Sequence, residues 1–272
     1  MKAILLAGGS GTRARPFTDY VPKAMFPLDG RPIIDYLVKY IAQFSQINEI
    51  IIVCNFDSFG KQIINYFEGK QPIVGKPIIF VEDKNNGTGG SLLKIEKYVT
   101  QDECFLVWFA DNLCALKIEQ MIQKYHQVNM KSGRTGSIGM VVVRKRRREE
   151  TARVILDDSH IKEFMEKQRV KLEQPEALGI YLFSKRIFEY LHKISTEGFA
   201  NFNLSYAKPT KKVNISFNLS YDVLSKIANT ANLFSYDIGD DIEWIDAESP
   251  TYLDRNKDIV EKILAQMHFE LQ

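Results

Sequence analysis

Glycines and basic residues follow the first apolar segment of the chain at once. Ala3–Ala7 is apolar without alternation, which is typical of a strand buried on both faces. Gly8, Gly9 and Gly11 come next, and they leave room for backbone N–H groups to face a ligand. N–H groups presented in this way bind anions, most often phosphate. Three cations complete the segment: Arg13, Arg15 and Lys23. The segment therefore predicts a loop for a ligand with several phosphates.

A second pattern overlaps this loop. Gly9–Ala14 also matches the dinucleotide fingerprint G-x-G-x-x-G/A after a strand. That fingerprint requires a helix that starts in the loop, whereas Pro16 and Pro22 interrupt any helix here. It also requires an acidic residue at the end of a second strand, whereas Asp29 lies in the turn-like segment Pro27–Gly30. The polyphosphate loop is the better interpretation, and a tight connection without a ligand is the other alternative.

Length and charge limit the class of protein. A chain of 272 residues can bury a large core, and a formal net charge of +2 gives no bulk attraction to nucleic acid or to a membrane surface. The three cysteines are widely spaced, so neither a disulfide framework nor a zinc site is indicated. No signal-peptide pattern and no membrane-spanning apolar run is present in the sequence. We therefore expect a cytoplasmic protein.

Strand-like and helix-like segments alternate in the first half of the chain. The strand-like segments are Ala3–Ala7, Glu49–Cys54, Pro77–Glu82 and Cys104–Phe109. Helical spacing of apolar residues is found in Pro32–Phe44, Phe59–Phe67 and Gly90–Val99. Repeated βα units imply the α/β class, with a Rossmann-like mixed, mostly parallel sheet flanked by helices. Ligands bind past the carboxyl ends of the strands in such sheets.

The second half of the chain is richer in strand-like segments. Strands are expected at Ser137–Val143, Ala152–Leu156, Ile161–Glu166, Ala177–Phe183, Asn232–Tyr236 and Ile242–Ile245. Helices are expected at Arg186–Leu191, at Tyr221–Ile227 and from Ser249 onward. The basic run Arg144–Arg148 joins the first two of these strands, and two acidic residues follow it without interleaved aromatics. We expect a solvated hairpin loop there and no nucleic-acid site.

Asp111 comes just after the strand-like segment Cys104–Phe109. A carboxylate at this edge of the sheet is placed to hold a hard cation, and Mg²⁺ favours one or two carboxylates plus substrate phosphates. A turn or helix N-cap aspartate is equally consistent with the position alone.

The glycine loop also carries a family resemblance. The segment GGSGTRARPFT at 8–18, followed by PKAMFPLDGRPII at 22–34, resembles the signature of the sugar-1-phosphate nucleotidyltransferases. That signature is close to G-G-x-G-T-R-L-x-P-L-T and then P-K-P-x-x-P-(x)-x-G-x-P. Ala14, Phe17 and Ala24 depart from it at packing positions. The resemblance implies the nucleotide-diphospho-sugar transferase fold in one domain over 1–272, with a nucleotide-binding core at 1–115 and an acceptor-binding lobe with a closing helix at 116–272. No left-handed β-helix domain is expected, since no hexapeptide repeats follow.

The resemblance implies a nucleotide site and two catalytic cations. Arg13 would stabilise the departing pyrophosphate, and Lys23 would neutralise the α-phosphate. The segment Glu82–Gly90 resembles the family loop E/Q-x(4)-G-T-A/G-G, in which Glu82 would read the base edge. The nucleotide-binding residues implied are Leu6, Ala7, Gly8, Gly9, Gly11, Thr12, Arg13, Glu82, Gly87 and Thr88.

The resemblance also implies two metal carboxylates. Asp111 would be one, and Asp246 would be the other, because Trp244–Leu253 resembles the family pattern W-x-D-x-G-T-P-x-x-Y-L. The two would hold Mg²⁺, the expected cofactor. Glu248 stands where the family has a small residue, which adds bulk and charge beside the metal position.

The acceptor site is the least family-like part of the sequence. Phe164–Lys167 resembles the family's f-x-E-K-P, and Ala177 replaces the asparagine of N-x-G-x-Y, a residue that normally contacts the sugar. The sugar-phosphate-binding residues implied are Asn112, Glu166, Lys167 and Gly179.

The implied reaction joins an NTP to a sugar 1-phosphate, giving an NDP-sugar and pyrophosphate. The first expectations are a mannose-1-phosphate guanylyltransferase or a glucose-1-phosphate thymidylyltransferase. The alternatives are transfer to a heptose phosphate or to a non-sugar phosphate such as phosphocholine, a non-catalytic regulator that binds a sugar nucleotide, and a dinucleotide-dependent oxidoreductase. The expected partners are an NTP and a phosphorylated small molecule, without nucleic acid or membrane. The sequence leaves the oligomeric state open, and a homo-oligomer is one possibility.

Overall fold

A mixed nine-stranded sheet runs through the protein. The computed structural model describes residues 1–9, 11–57, 59–70, 75–131, 136–145, 153–165, 174–201, 216–229 and 232–269. The strands of the large sheet are β1 (Lys2–Leu6), β4 (Glu49–Cys54), β5 (Ile78–Glu82), β6 (Cys104–Phe109), β8 (Gly139–Arg144), β9 (Arg153–Asp157), β10 (His160–Met165), β11 (Glu176–Ser184) and β12 (Leu233–Asp237). Their order is β5-β4-β1-β6-β11-β8-β12-β10-β9.

Two small sheets accompany the large one. One pairs β2 (Pro27–Leu28) with β3 (Arg31–Pro32), and the other pairs β7 (Asn112–Cys114) with β13 (Trp244–Asp246). The α-helices are Ile33–Ala42, Gly60–Phe67, Gly87–Leu93, Ile118–Lys131, Ile187–Asn201, Ser225–Ile227, Pro250–Arg255 and Lys257–Gln266. A π-helix spans Leu219–Leu224, and single 3-10 turns span Thr12–Ala14, Phe17–Asp19, Lys23–Met25 and Glu96–Tyr98.

The fold class is the predicted one. Strands β5, β4, β1 and β6 pair in parallel, and apolar clusters cover both faces of the sheet. Ile4 and Leu5 are both fully buried, one in each cluster, which explains why β1 is apolar without alternation. Because the carboxyl ends of these parallel strands meet at one edge, the residues that follow them lie together. The division of the chain near residue 115 stays a prediction.

The predicted hairpin between β8 and β9 is wrong. Strand β8 lies between β11 and β12, and β9 pairs with β10 and β11 instead. Arg144 is not part of a solvated loop, because it is the last residue of β8, its side chain is 3% exposed, and its Nη2 lies 3.0 Å from Glu243 Oε2. Residues 146–152 of the basic connection lie outside the described residues.

Several helix boundaries differ from the sequence-based ones. The helix predicted at Gly90–Val99 begins earlier, at Gly87, and is followed by a separate 3-10 turn. The helix predicted at Arg186–Leu191 continues to Asn201, and the one predicted from Tyr221 begins as a π-helix at Leu219. Periodicity identified each helix, whereas its ends depend on tertiary contacts.

Candidate active site

A lysine bridges two aspartates at the carboxyl edge of the large sheet. Lys23 Nζ lies 2.8 Å from Asp111 Oδ2 and 3.2 Å from Asp246 Oδ1. The side chains of Lys23, Asp111 and Asp246 are 15%, 26% and 24% exposed, so the cluster is largely but not fully shielded from solvent. The structure therefore brings together one implied catalytic residue and both implied metal carboxylates.

Local backbone pairing fixes the two carboxylates side by side. Asp111 lies in the turn between β6 and β7, so it does not begin a helix. Strand β7 pairs antiparallel with β13, which places Asp246 opposite Asn112. The N–H of Ala247 then donates to the carbonyl of Asp111 at 2.8 Å. Two segments that are remote in sequence are thus joined by backbone hydrogen bonds at the site.

The surroundings of Lys23 keep its ammonium charged. Burial alone would lower the pKa of Lys23, but the carboxylates of Asp111 and Asp246 outweigh burial and the pKa is raised. Burial and the nearby Asp111 carboxylate raise the pKa of Asp246 from its ordinary 3.8 to about 6, although Lys23 opposes the shift. Glu248 adds a smaller shift in the same direction. The cluster therefore carries more negative charge than one lysine balances.

The raised pKa of Asp246 predicts a pH-dependent stability. Below the ordinary pKa both the folded and unfolded chains hold this proton, and between pH 3.8 and about 6 only the folded chain keeps it. The stability linked to this proton is fully present at low pH and is lost as pH rises through about 6. In metal-free buffer, we expect Asp246→Asn to raise the Tm at pH 8, with a gain that shrinks toward pH 4. An equal shift of Tm at both pH values would contradict the assignment.

The glycine loop has the open geometry that a ligand needs. A Cβ at Gly9 would meet none of the described residues within 4 Å, apart from its chain neighbours. A Cβ at Gly8 would overlap the carboxylate of Asp83, coming within 2.6 Å of Asp83 Cγ, and Gly11 has a φ of 56° that favours glycine. Leu6 ends β1 as a buried residue, Ala7 is partly buried, and Thr12 and Arg13 are exposed. Ser10 lies outside the described residues.

Three 3-10 turns, and no α-helix, follow this loop before Pro27. The turns begin at Thr12, Phe17 and Lys23. The dinucleotide alternative requires a continuous helix directly after the glycines, so the structure does not support it. The last of these turns, Lys23–Met25, places the side chain of Lys23 between Asp111 and Asp246.

The segment implied to read the base begins at the end of β5. Glu82 is exposed, and its carboxylate lies 3.5 Å from Lys84 Nζ. Gly87 has a φ of 71°, and the hydroxyl of Thr88 accepts a hydrogen bond from the N–H of Leu219 at 2.8 Å. The structure places Glu82 at the functional edge, whereas Gly87 and Thr88 contact a neighbouring segment of the chain.

On the acceptor side, Asn112 and Gly179 are neighbours. Asn112 is buried, and its Nδ2 donates to the carbonyl of Leu178 at 2.9 Å. Gly179 has a φ of 70°, and a Cβ there would lie 2.7 Å from Asn112 Nδ2. Ala177, the departure from the family pattern, is buried. Glu166 and Lys167 lie outside the described residues, so their implied contacts stay predictions.

One residue of the site was missed by the sequence analysis. Asp83 follows β5 as Asp111 follows β6, and it is buried directly beneath Gly8. Its carboxylate accepts hydrogen bonds from Ser91 Oγ at 2.8 Å and from the N–H of Asn85 at 3.0 Å. The rule that functional residues follow strand ends could have identified it.

The donor set fits a magnesium ion. Among the described residues there is no group of three or more histidines, cysteines, aspartates or glutamates that could hold a metal. Two carboxylates that already share one cation match the few protein ligands that Mg²⁺ takes when phosphates and water supply the rest. Magnesium binding itself stays a prediction.

The sheet, the glycine loop and the shared lysine define an α/β protein whose arrangement is typical of nucleotide-binding sites. The chain belongs to the nucleotidyl transferase family, whose model matches residues 2–261. That match confirms the family resemblance of the glycine loop. Within the described residues, no helix has the length and apolar character that crossing a membrane requires.

Two curated relatives and one solved structure illustrate the family. The bifunctional protein GlmU of Methanocaldococcus jannaschii is 29% identical over 195 residues, which are 71% of this chain and 42% of that protein. A UTP–glucose-1-phosphate uridylyltransferase of Synechocystis is 29% identical over 70% of this chain and 51% of its own length. The chain thus spans about half the length of these relatives. The inositol-1-phosphate CTP transferase of T. maritima shares the fold, with a TM-score of 0.67, 21% identity and coverage of 97% of this chain and 96% of that one.

Proposed function

We propose that the protein transfers a nucleotidyl group from an NTP to a phosphorylated small molecule, a sugar 1-phosphate in the first instance. A phosphate oxygen of the acceptor attacks the α-phosphorus, the bond between that phosphorus and the bridging oxygen to the β-phosphate breaks, and pyrophosphate leaves. The observation that carries the proposal is Lys23 held between Asp111 and Asp246. This cluster lies at the sheet edge where the glycine loop of the family signature also begins.

The chain's own residues supply positioning and charge. Both substrates are polyanions, so bringing them together requires cations, and no protein nucleophile is needed. Lys23 neutralises the α-phosphate, and the exposed Arg13 stabilises the departing pyrophosphate. Lys167 orients the attacking phosphate. The ammonium of Lys23 is held by two carboxylates, and a divalent cation at those carboxylates would offset their charge and leave Lys23 available to the substrate.

Asp111 and Asp246 are the residues that would hold Mg²⁺. A bound magnesium ion supplies Lewis-acid stabilisation of phosphate oxygens. Burial is the main cause of the raised pKa of Asp246, and the neighbouring Asp111 carboxylate adds to it; a divalent cation would offset the negative charge of this pair.

Acceptor choice depends on the part of the site that departs from the family pattern. Ala177 removes a polar contact that the family uses for the sugar, and the exposed Glu248 adds a carboxylate beside Asp246. Guanylyl transfer to mannose 1-phosphate and thymidylyl transfer to glucose 1-phosphate are the first pairs to test. Inositol phosphate, a heptose phosphate and phosphocholine extend the panel, since one fold relative is named for inositol 1-phosphate.

The test is pyrophosphate release with Mg²⁺ across a grid of substrates. It crosses ATP, GTP, CTP, UTP and dTTP with these phosphorylated acceptors. Release in one cell of the grid establishes the reaction, the base and the acceptor together. If an NTP binds and no cell releases pyrophosphate, the transferase proposal is contradicted and a sugar-nucleotide-binding regulator explains the site.

Two neighbouring glycines give a matched pair of variants. We expect Gly9→Ala to leave the free energy of unfolding within about 0.5 kcal/mol of wild type, because its new methyl would lie more than 4 Å from the described residues other than its chain neighbours. Its affinity for inorganic tripolyphosphate should fall about tenfold, since the methyl enters the ligand's space. Gly8→Ala should instead destabilise the fold by about 1–3 kcal/mol, because its methyl overlaps the buried Asp83. Thermal unfolding and calorimetric titration distinguish the two, and unchanged tripolyphosphate binding by Gly9→Ala would argue against the loop as a phosphate site.

A further inference from the structure

A short segment from the second half of the chain lies on the loop implied to read the base. We call residues 216–219 the strap and Asn86–Gly90 the base loop. The N–H of Phe217 donates to the carbonyl of Asn86 at 3.0 Å, and the N–H of Gly89 donates to the carbonyl of Phe217 at 3.0 Å. The N–H of Leu219 donates to the hydroxyl of Thr88 at 2.8 Å. Three hydrogen bonds thus hold the base loop against the strap.

Glycines in the base loop fit the shape of Phe217. A Cβ at Gly87 would overlap the carbonyl oxygen of Phe217, and a Cβ at Gly89 would lie 2.5 Å from Phe217 Cδ2. The phenyl ring is buried in the apolar cluster on this face of the sheet. The glycines that resemble a base-recognition motif are therefore also required by a close contact within the protein.

The strap is itself anchored on its carboxyl side. Asn218 Oδ1 accepts from the N–H groups of Ser220 and Tyr221 at 2.9 and 3.2 Å, and Asp222 Oδ2 accepts from the N–H of Asn218 at 2.6 Å. These bonds cap the π-helix Leu219–Leu224. Phe217 is consequently held in place by a helix start, so it can hold the base loop in turn.

The two residues that flank the base loop, Asn85 and Ser91, connect it to the glycine loop through Asp83, and Ser91 Oγ also lies 3.0 Å from the carbonyl oxygen of Gly87 in the base loop. Asp83 accepts hydrogen bonds from Asn85 and Ser91, and its carboxylate packs directly beneath Gly8. Packed contacts therefore run from Phe217 through the base loop to the phosphate loop. Loss of the ring would remove its packing against Gly89 and loosen the base loop, although the hydrogen bonds to the strap remain, whereas Asp83 would keep its own partners.

We propose that Phe217 is a positioning residue for nucleoside recognition. It holds the base loop in its binding conformation before the nucleotide arrives, so that binding does not have to order the loop. This inference rests on the proposed function, in which the base loop contacts the base or ribose of the NTP. Phe217 acts through the loop and does not itself touch the phosphates.

The first test compares a nucleotide with a probe that has only phosphates. We expect Phe217→Ala to raise the KM and the Kd for the NTP by about tenfold while kcat stays within about threefold. Its Kd for inorganic tripolyphosphate should match wild type, because the glycine loop keeps its shape. Phe217→Leu, which retains an apolar side chain, should recover most of the NTP affinity.

A second test uses a rescue within the contact. Gly89→Ala alone should weaken NTP binding, because its methyl collides with the Phe217 ring. In the double variant Gly89→Ala/Phe217→Ala the ring is gone, so adding the methyl should cost no further affinity. Gly87→Ala should stay defective beside Phe217→Ala, because its methyl collides with the backbone carbonyl and its φ of 71° favours glycine.

These experiments distinguish failure of the positioning role of Phe217 from failure of the proposed function. If wild type turns over and folded Phe217→Ala binds both ligands normally, or loses affinity for both equally, the positioning role is refuted. A double variant in which the two losses add in full refutes it as well, since independent sites are additive. If instead the wild type releases no pyrophosphate in any cell of the substrate grid, the proposed function is overturned.

Discussion

Asp111→Ala is expected to lower kcat by more than about 10³-fold, the largest single effect in this protein. Asp111 is one of the two carboxylates that pair with Lys23 among the described residues, and its backbone carbonyl also accepts a hydrogen bond from the N–H of Ala247. Removal of the carboxylate leaves the backbone bond in place, so the loss falls on charge and metal binding and not on the fold. Pyrophosphate release at saturating Mg²⁺ measures it.

Asp111→Asn separates charge from shape. It keeps the size of the side chain, and we expect it to raise the Mg²⁺ concentration needed for half-maximal activity. It should also lower the pKa of Asp246, because the Asp111 carboxylate is one of the causes that raise it. The matched control is Asp157→Asn, whose side chain is 71% exposed and pairs with Lys162 away from the cluster. Normal turnover by Asp111→Ala would rule out the metal assignment.

Lys23→Met is expected to lower kcat by about 10²–10³-fold, the usual cost of one preorganised charge contact. Methionine keeps the apolar stem and removes the ammonium that bridges Asp111 and Asp246. We expect the KM values to change less than kcat, because the contact with the α-phosphate strengthens as charge develops there. Steady-state kinetics with each substrate tests whether kcat changes more than the KM values.

Lys23→Met is also expected to change the stability of the folded chain, independently of its effect on kcat. Without the ammonium, two shielded carboxylates face each other, so the folded chain should be less stable at pH 8 than wild type. The loss should shrink at low pH, since protonation of Asp246 removes the repulsion. Lys257→Met is the control, because its ammonium is 72% exposed and its pair with Glu261 is a surface contact. A Lys23→Met protein with wild-type kcat would exclude Lys23 from the reaction.

The sequence predicted the parts of the site that local patterns determine. Apolar runs identified β1, β4 and β6, and the rule for strand ends placed Gly8 and Asp111 at one edge. Asp246 was found only through the family pattern, because nothing local shows that β13 pairs with β7. Identification of the site thus combined a physical rule with a resemblance.

Non-local pairing accounts for the errors. Strand β12 inserts beside β8 from much later in the chain, so β8 and β9 do not form the hairpin that their proximity suggests. Phe217 was not identified because its partners, Gly87 and Gly89, are distant in sequence. Arg144 resembles a loop residue by its basic neighbours, whereas its ion pair with Glu243 buries it. In each case the deciding contact has no periodic signal.

The pairing of β7 with β13 also has a consequence for how the protein is made. Lys23 and Asp246 are separated by 223 positions, and they meet only after that late strand has docked. Closing such a long loop is slow, because chain entropy opposes the encounter until the contacts form. During synthesis the parallel strands and the glycine loop therefore emerge well before the second carboxylate. Under the proposed function, a nascent chain would bind phosphates before it could transfer a nucleotidyl group, so activity should appear abruptly when the segment that carries Asp246 folds.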